Sequence, residues 1–230
     1  MRQIEDILQS TSRNVLDVHQ QRLAKSNKRS EALRATVRAL VTTLEGKDLY
    51  TWGHSNRVAE LSRLTAMRLG LDVDCCERIY TAGLLHDVGK LGIPDTVLNK
   101  AAQLSSAEYN LIRLHPVIGF EIVQRVSSLA DVAPAVLYHH EAFDGAGYPD
   151  GLVGDEIPLD ARILGVADAF DAMTSARSYR NKMSPRRAEA ILLDGCGRQW
   201  DAECVRAFLS ATDGARLTIQ QPSMTSVRLR

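Results

Sequence analysis

Nothing in this chain alternates apolar and polar residues between hairpin turns, the pattern a half-buried strand requires. Apolar residues recur instead at helical spacing. Leu33, Val37, Leu40, Val41 and Leu44 fall on one helix face, and Val58, Leu61, Leu64, Thr65 and Leu69 repeat the pattern up to Gly70. Ile79, Ala82, Leu84 and Leu85 start a short helix before Gly89. Ser105 and Glu108 have the spacing of a capping box, and Pro116 suits the first turn of a helix running to about Val126. Further helices are expected over 133–140, 158–175, 185–195 and 201–211. The fold class is therefore all-α, a helical bundle with a preceding N-terminal helical segment.

The 230 residues, 45% of them apolar, are enough for a sizeable core. Twenty-eight basic side chains balance 28 acidic ones. That balance argues against nucleic acid or an anionic membrane as the main partner, but not against a small anionic substrate in a locally basic pocket. No stretch approaches the ~20 apolar residues that span a bilayer. The start carries acidic residues where a signal peptide would be apolar. Cys75, Cys76, Cys196 and Cys204 lack C-x-x-C spacing and read as reduced thiols. A cytoplasmic location is expected.

Residues 1–45 are polar and helix-prone, with Ile4, Ile7, Leu8, Val15 and Val18 on one face. They read as a separate segment, a candidate for homodimer formation. Residues 46–213 form the main domain, and 214–230 read as a weakly ordered tail. A long loop from Asp144 to Ile157 holds Gly145, Gly147, Pro149, Gly151 and Gly154. Loops of that length inside a compact domain are usually functional.

Five of the six histidines, His54, His86, His115, His139 and His140, lie at or near helix ends, and Asp87 follows His86 directly. Neutral imidazole with carboxylate is the ligand set of a first-row transition metal. Five histidines and two aspartates suffice for two ions if one carboxylate bridges. Two ions about 3.5–4 Å apart, sharing a nucleophilic hydroxide, are a recurring device for phosphoester hydrolysis. Mixed N/O ligation without thiolate fits Fe or Mn, with Zn or Ni also compatible.

The motifs resemble those of the HD-GYP family, a branch of the HD-domain phosphohydrolases. They are His86-Asp87-Val88-Gly89-Lys90-Leu91-Gly92-Ile93-Pro94, His115-Pro116-Val117-Ile118-Gly119, and the run from His139-His140-Glu141 to Gly147-Tyr148-Pro149. Asp168-Ala169-Phe170-Asp171 and Arg177-Ser178-Tyr179-Arg180 follow in order, so the likeness covers roughly 46–210. It implies an HD-type helical bundle and hydrolysis of cyclic di-GMP to linear pGpG or onward to GMP.

By this resemblance His54, His86, Asp87 and Asp168 hold one metal and His115, His139 and His140 the other, with Asp87 bridging. Lys90 lies beside the metals with His86 and Asp87 in the catalytic group. Tyr148, Asp171, Arg177 and Arg180 join Lys90 as substrate contacts, although Asp171 reads equally well as the support of Arg177 or of a ligand histidine. Glu141 reads as a partner of a histidine or a solvated helix end, and Trp200 as packing. Tyr50 stands where some members carry a Glu that supports a third metal, so two ions and a slow second cut are expected. Other readings are action on another nucleotide and a signalling interaction module. A fused or separate signalling partner is common in such systems.

Overall fold

The computed structural model describes residues 31–48, 53–175 and 182–219, with 214–219 described by their backbone only. The chain divides into two compact units, Met1–Ala39 and Leu40–Arg230. In the first, described residues 31–39 are helical; the expected apolar face from Ile4 to Val18 lies outside the described residues. The second opens with helical residues 40–47, here α1. Among the described residues there is no strand, and no helix is long and apolar enough to cross a membrane.

Nine further helices follow among the described residues: α2 (His54–Arg68), α3 (Val73–Leu85), α4 (Asp95–Leu98), α5 (Ser106–Ile112), α6 (His115–Val123), α7 (Ala133–Tyr138), α8 (Leu159–Thr174), α9 (Pro185–Asp194) and α10 (Ala202–Ile219). Their ends carry the expected signals. After α2 the Leu71 N–H donates to Ala66 O and the Gly70 N–H to Met67 O, a Schellman closure with Gly70 at φ 79°. Ser105 caps α5, and the Glu108 side chain returns the bond to the Ser105 N–H at 2.8 Å. Helix α3 starts at Val73, earlier than its apolar pattern suggests, because the Asp72 carboxylate accepts from the Cys75 N–H at 2.7 Å. Helix α6 ends at Val123, short of the expected Val126. Helix α10 runs to Ile219, into the stretch expected to be tail.

α8 is the central helix and buries Ile163, Leu164, Val166, Ala167 and Phe170. It packs against α2, α7, α9 and α10, and Phe170 meets Phe208 of α10 with ring centroids 4.9 Å apart. α2 lies along α3. α6 packs on the short 3-10 turn Val88–Gly92, and the contact requires Gly89: a Cβ there would overlap the His115 carbonyl and press on the Gly119 backbone. This approach brings His115 beside Asp87. The four cysteines are unbridged, and Trp200 is buried, as expected.

Candidate metal centre

Five elements converge on one buried point. His54 opens α2, His86 and Asp87 follow α3, His115 opens α6, His139 and His140 follow α7, and Asp168 comes from the middle of α8. His54, His86, Asp87, His115 and His139 are all buried. Two groups have donor atoms within 4.8 Å of one another, His54–His86–Asp87 and His115–His139–His140.

The helix ends explain why the histidines sit where they do. The last carbonyls of a helix lack partners within it. Here Gly83 O in α3, Ile112 O in α5 and Val136 O in α7 accept from Nδ1 of His86, His115 and His139 at 2.7, 2.8 and 2.8 Å. A carbonyl can only accept, so each Nδ1 carries a proton, and a ring held this way turns its Nε2 to the centre. The His54 ring is oriented by a carboxylate instead, its Nδ1 lying 2.7 Å from Asp171 Oδ2.

Asp87 lies between the groups. Its Oδ1 is 3.3 Å from His115 Nε2, and its Oδ2 is 3.5 Å from His86 Nε2 and 3.8 Å from His54 Nε2. Asp168 Oδ1 stands 3.3 Å from His54 Nε2 and 4.0 Å from His86 Nε2.

The donor set fits cations. His115 Nε2 and His139 Nε2 face each other at 3.3 Å, yet both Nδ1 protons are already committed to carbonyls. Two lone pairs at that distance repel unless a cation lies between them. Protonation is no relief, since burial pushes His115 down to about 3 and His139 well below its ordinary value. His86 Nε2 is buried without any hydrogen-bond partner. An unpaired buried acceptor is costly, and a metal ion satisfies it.

Charge is graded across the centre. Burial lowers His140 to about 4. Burial also opposes the charge on His54, but hydrogen bonds to Asp168 and Asp171 and the nearby carboxylates outweigh it and raise the ring to about 9. Asp87 is held well below the carboxylate range: Lys90 and the neighbouring histidines overcome its burial. Lys90 Nζ donates to Asp87 Oδ2 at 2.6 Å and lies 3.4 Å from Asp48 Oδ2.

Asp171, expected among the substrate contacts, is buried with both oxygens engaged. Oδ2 faces His54, and Oδ1 accepts from Arg57 Nε at 2.6 Å. Glu141 does neither of the things expected of it. Its Oε1 accepts from the Asp150 and Gly151 N–H groups at 2.8 and 3.0 Å and so closes the Asp144–Ile157 loop. A Cβ on Gly147 would overlap the backbone of Glu141 and Ala142, so only glycine lets the loop lie this close. Tyr148 stacks on His140, centroids 4.9 Å apart, and the Tyr148–Pro149 peptide is cis. Arg177, Arg180 and Tyr50 lie outside the described residues.

Two cavities open beside the centre. One, of about 800 Å³, is lined by Asp48, His54, Lys90 and the stretch from Val97 to Ile112. The other, of about 780 Å³, is lined by His140, Tyr148, Arg113 and the turn around Trp200. Tyr109 borders both. Sequence reasoning passed over Asp48, Arg113 and Tyr109, which belong to no metal or loop motif.

Fold and site together define an all-helical protein with a buried histidine–aspartate centre of metal-binding chemistry. Residues 10–204 match the family model described as HD domain, and the chain belongs to that family. Its Gly147-Tyr148-Pro149 loop marks the HD-GYP branch. The chain is 39% identical over 209 residues to the cyclic di-GMP phosphodiesterase response regulator RpfG of Xanthomonas campestris, covering 90% of this chain and 55% of that protein. It is 40% identical over 167 residues to a cyclic di-GMP phosphodiesterase of Thermotoga maritima, covering 72% and 45%. Among solved structures, the cyclic GMP-AMP specific phosphodiesterase V-cGAP3 of Vibrio cholerae aligns with a TM-score of 0.51 at 33% identity, covering 79% of this chain and 41% of that one. The chain thus spans about half the length of the curated relatives it matches. HD-domain phosphohydrolases are metal-dependent, and this chain has groups that can hold metals.

Proposed function

We propose that the chain is a metal-dependent phosphodiesterase that hydrolyses cyclic di-GMP to linear pGpG. The observation that carries this reading is the placement of Asp87, with one oxygen toward His115 and the other toward His54 and His86. His54, His86, Asp87 and Asp168 would hold one ion, and His115, His139, His140 and Asp87 the other. Fe or Mn suits this nitrogen and oxygen set. When bound, the two ions supply a water made nucleophilic at neutral pH and offset charge on the phosphate.

The chain's own residues do the rest. The carbonyls of Gly83, Ile112 and Val136 and the Asp171 carboxylate fix the four rings by their Nδ1 protons, so no reorientation is needed when substrate arrives. Lys90 carries the positive charge nearest Asp87 and borders the first cavity, where it can hold a phosphate oxygen. Tyr148 walls the second cavity, and burial pushes its phenol well above the ordinary value, so it stays neutral. The cavities flank the centre as the two nucleoside halves of a cyclic dinucleotide flank its phosphates. Arg177 and Arg180 are proposed as further phosphate contacts on the resemblance alone. With Tyr50 in place of the third-metal Glu, the linear dinucleotide should accumulate before any GMP.

The domain limits 46–213, self-association through residues 1–45, a fused or separate signalling partner and a cytoplasmic location complete the reading. The test is turnover of cyclic di-GMP by the purified chain loaded with Mn or Fe, against the chelated protein, with products separated by chromatography. Metal-dependent release of pGpG is expected. A metal-loaded protein inert toward cyclic di-GMP but active on cyclic GMP-AMP would move the substrate to that neighbouring class.

A further inference from the structure

Arg113 is the residue that ends α5, one turn after Tyr109. Its guanidinium carbon lies 4.5 Å from the centroid of the Tyr148 ring, within the range of a cation–π contact. Tyr148 in turn stacks on His140, so a run of flat groups leads from the metal centre into the cavity of about 780 Å³. Other arginines of this unit are paired with carboxylates: Arg57 with Asp171, Arg78 with Asp160, Arg162 with Asp201. The Arg113 side chain makes no hydrogen bond or ion pair with any described residue; only its backbone N–H is bonded, to Tyr109 O. Half-buried, it keeps its N–H donors for something that is not protein.

A guanidinium over a ring presents paired donors in its own plane. That edge matches two adjacent acceptors, as on a phosphate or on O6 and N7 of guanine. The cavity favours the base. Ala142, Ala146 and Gly147 leave room beside Tyr148 for a flat ring, and the reacting phosphate belongs at Asp87 and Lys90, with which Arg113 has no contact. Arg198, the other arginine lining this cavity, is turned to Asp194.

We propose that Arg113 is the specificity-determining residue of this cavity, donating two hydrogen bonds to O6 and N7 of one guanine of the substrate and so selecting guanine over adenine. Adenine keeps N7 but presents an N6 amino donor in place of O6, which would face the guanidinium donor to donor. The inference rests on the cyclic dinucleotide reading above and deepens it.

The test compares kcat and KM of the metal-loaded full chain with its Arg113→Ala and Arg113→Gln variants. The substrates are cyclic di-GMP and the base-free diester bis(p-nitrophenyl) phosphate, and cyclic di-AMP is measured as substrate or competitive inhibitor. A good bidentate base contact is worth about 1–3 kcal/mol. Arg113→Ala should therefore lower kcat/KM for cyclic di-GMP about 10- to 100-fold, mostly through KM. The effects on the base-free diester and on cyclic di-AMP should stay within about threefold, and metal content should equal wild type. Arg113→Gln should raise the preference for cyclic di-AMP relative to cyclic di-GMP, because glutamine matches the adenine edge. Equal losses on all three ligands would overturn the proposal and mark Arg113 as a phosphate clamp or a structural prop; so would no loss on cyclic di-GMP. A wild-type protein that cleaves the base-free diester but neither binds nor cleaves any cyclic dinucleotide would overturn the functional reading itself, a result distinct from either.

Discussion

Asp171 Oδ2 lies 2.7 Å from Nδ1 of His54, while Asp171 Oδ1 is held 2.6 Å from Arg57 Nε. One carboxylate thus orients a proposed ligand histidine and is itself oriented by an arginine. Outer partners of this kind typically contribute 10- to 100-fold in metal affinity. Asp171→Asn keeps the shape but weakens the acceptor. It should lower affinity for the first ion by about that factor, read by competition with a metal indicator, and leave the His115–His139–His140 group loaded. Unchanged affinity would reduce Asp171 to packing.

Glu141 accepts two backbone N–H groups of the Asp144–Ile157 loop through one oxygen. Glu141→Ala leaves both donors without that partner, a cost of about 1–3 kcal/mol for each one still shielded from water. The Tyr148 wall should loosen, so KM for cyclic di-GMP should rise severalfold while metal content stays at the wild-type value. A variant with lost metal and unchanged KM would place Glu141 with the ligands instead.

Gly89 is where α6 presses on the turn after Asp87. Gly89→Ala forces the two apart, and overpacking of this kind costs about 1–3 kcal/mol. The midpoint of urea unfolding should fall by that equivalent, and the His115 group should lose metal first because α6 carries His115. A fully stable, fully loaded variant would show that the backbone contact is looser than the structure has it.

The all-α class and the helices α1, α2 and α3 followed from apolar spacing, because helical periodicity survives wherever a helix buries one face. The capping box at Ser105 and Glu108 and the Gly70 stop were readable for the same local reason. The start of α3 was missed because Asp72 caps a first turn, Val73-Asp74-Cys75, that carries little apolar pattern. α10 was cut short because residues 214–230, with their Gln, Pro, Ser and Thr, read as a tail. His54, His86, Asp87, His115, His139, His140 and Asp168 could be singled out by residue type and motif, and the structure brings them together. What Asp171 and Glu141 hold could not be read from the sequence, since each answer depends on a partner far along the chain or on the path of a loop. Arg113 was invisible because a lone arginine before a histidine motif carries no signal until Tyr148 is seen beneath it.

The central claim is that one carboxylate serves two ions. Metal content of the purified protein after loading with Mn and gel filtration, wild type against Asp87→Ala, tests it most directly. The account predicts about two equivalents for wild type and loss of both together in the variant, because each group loses its shared ligand. Two tightly held equivalents in Asp87→Ala, with cyclic di-GMP turnover intact, would contradict it.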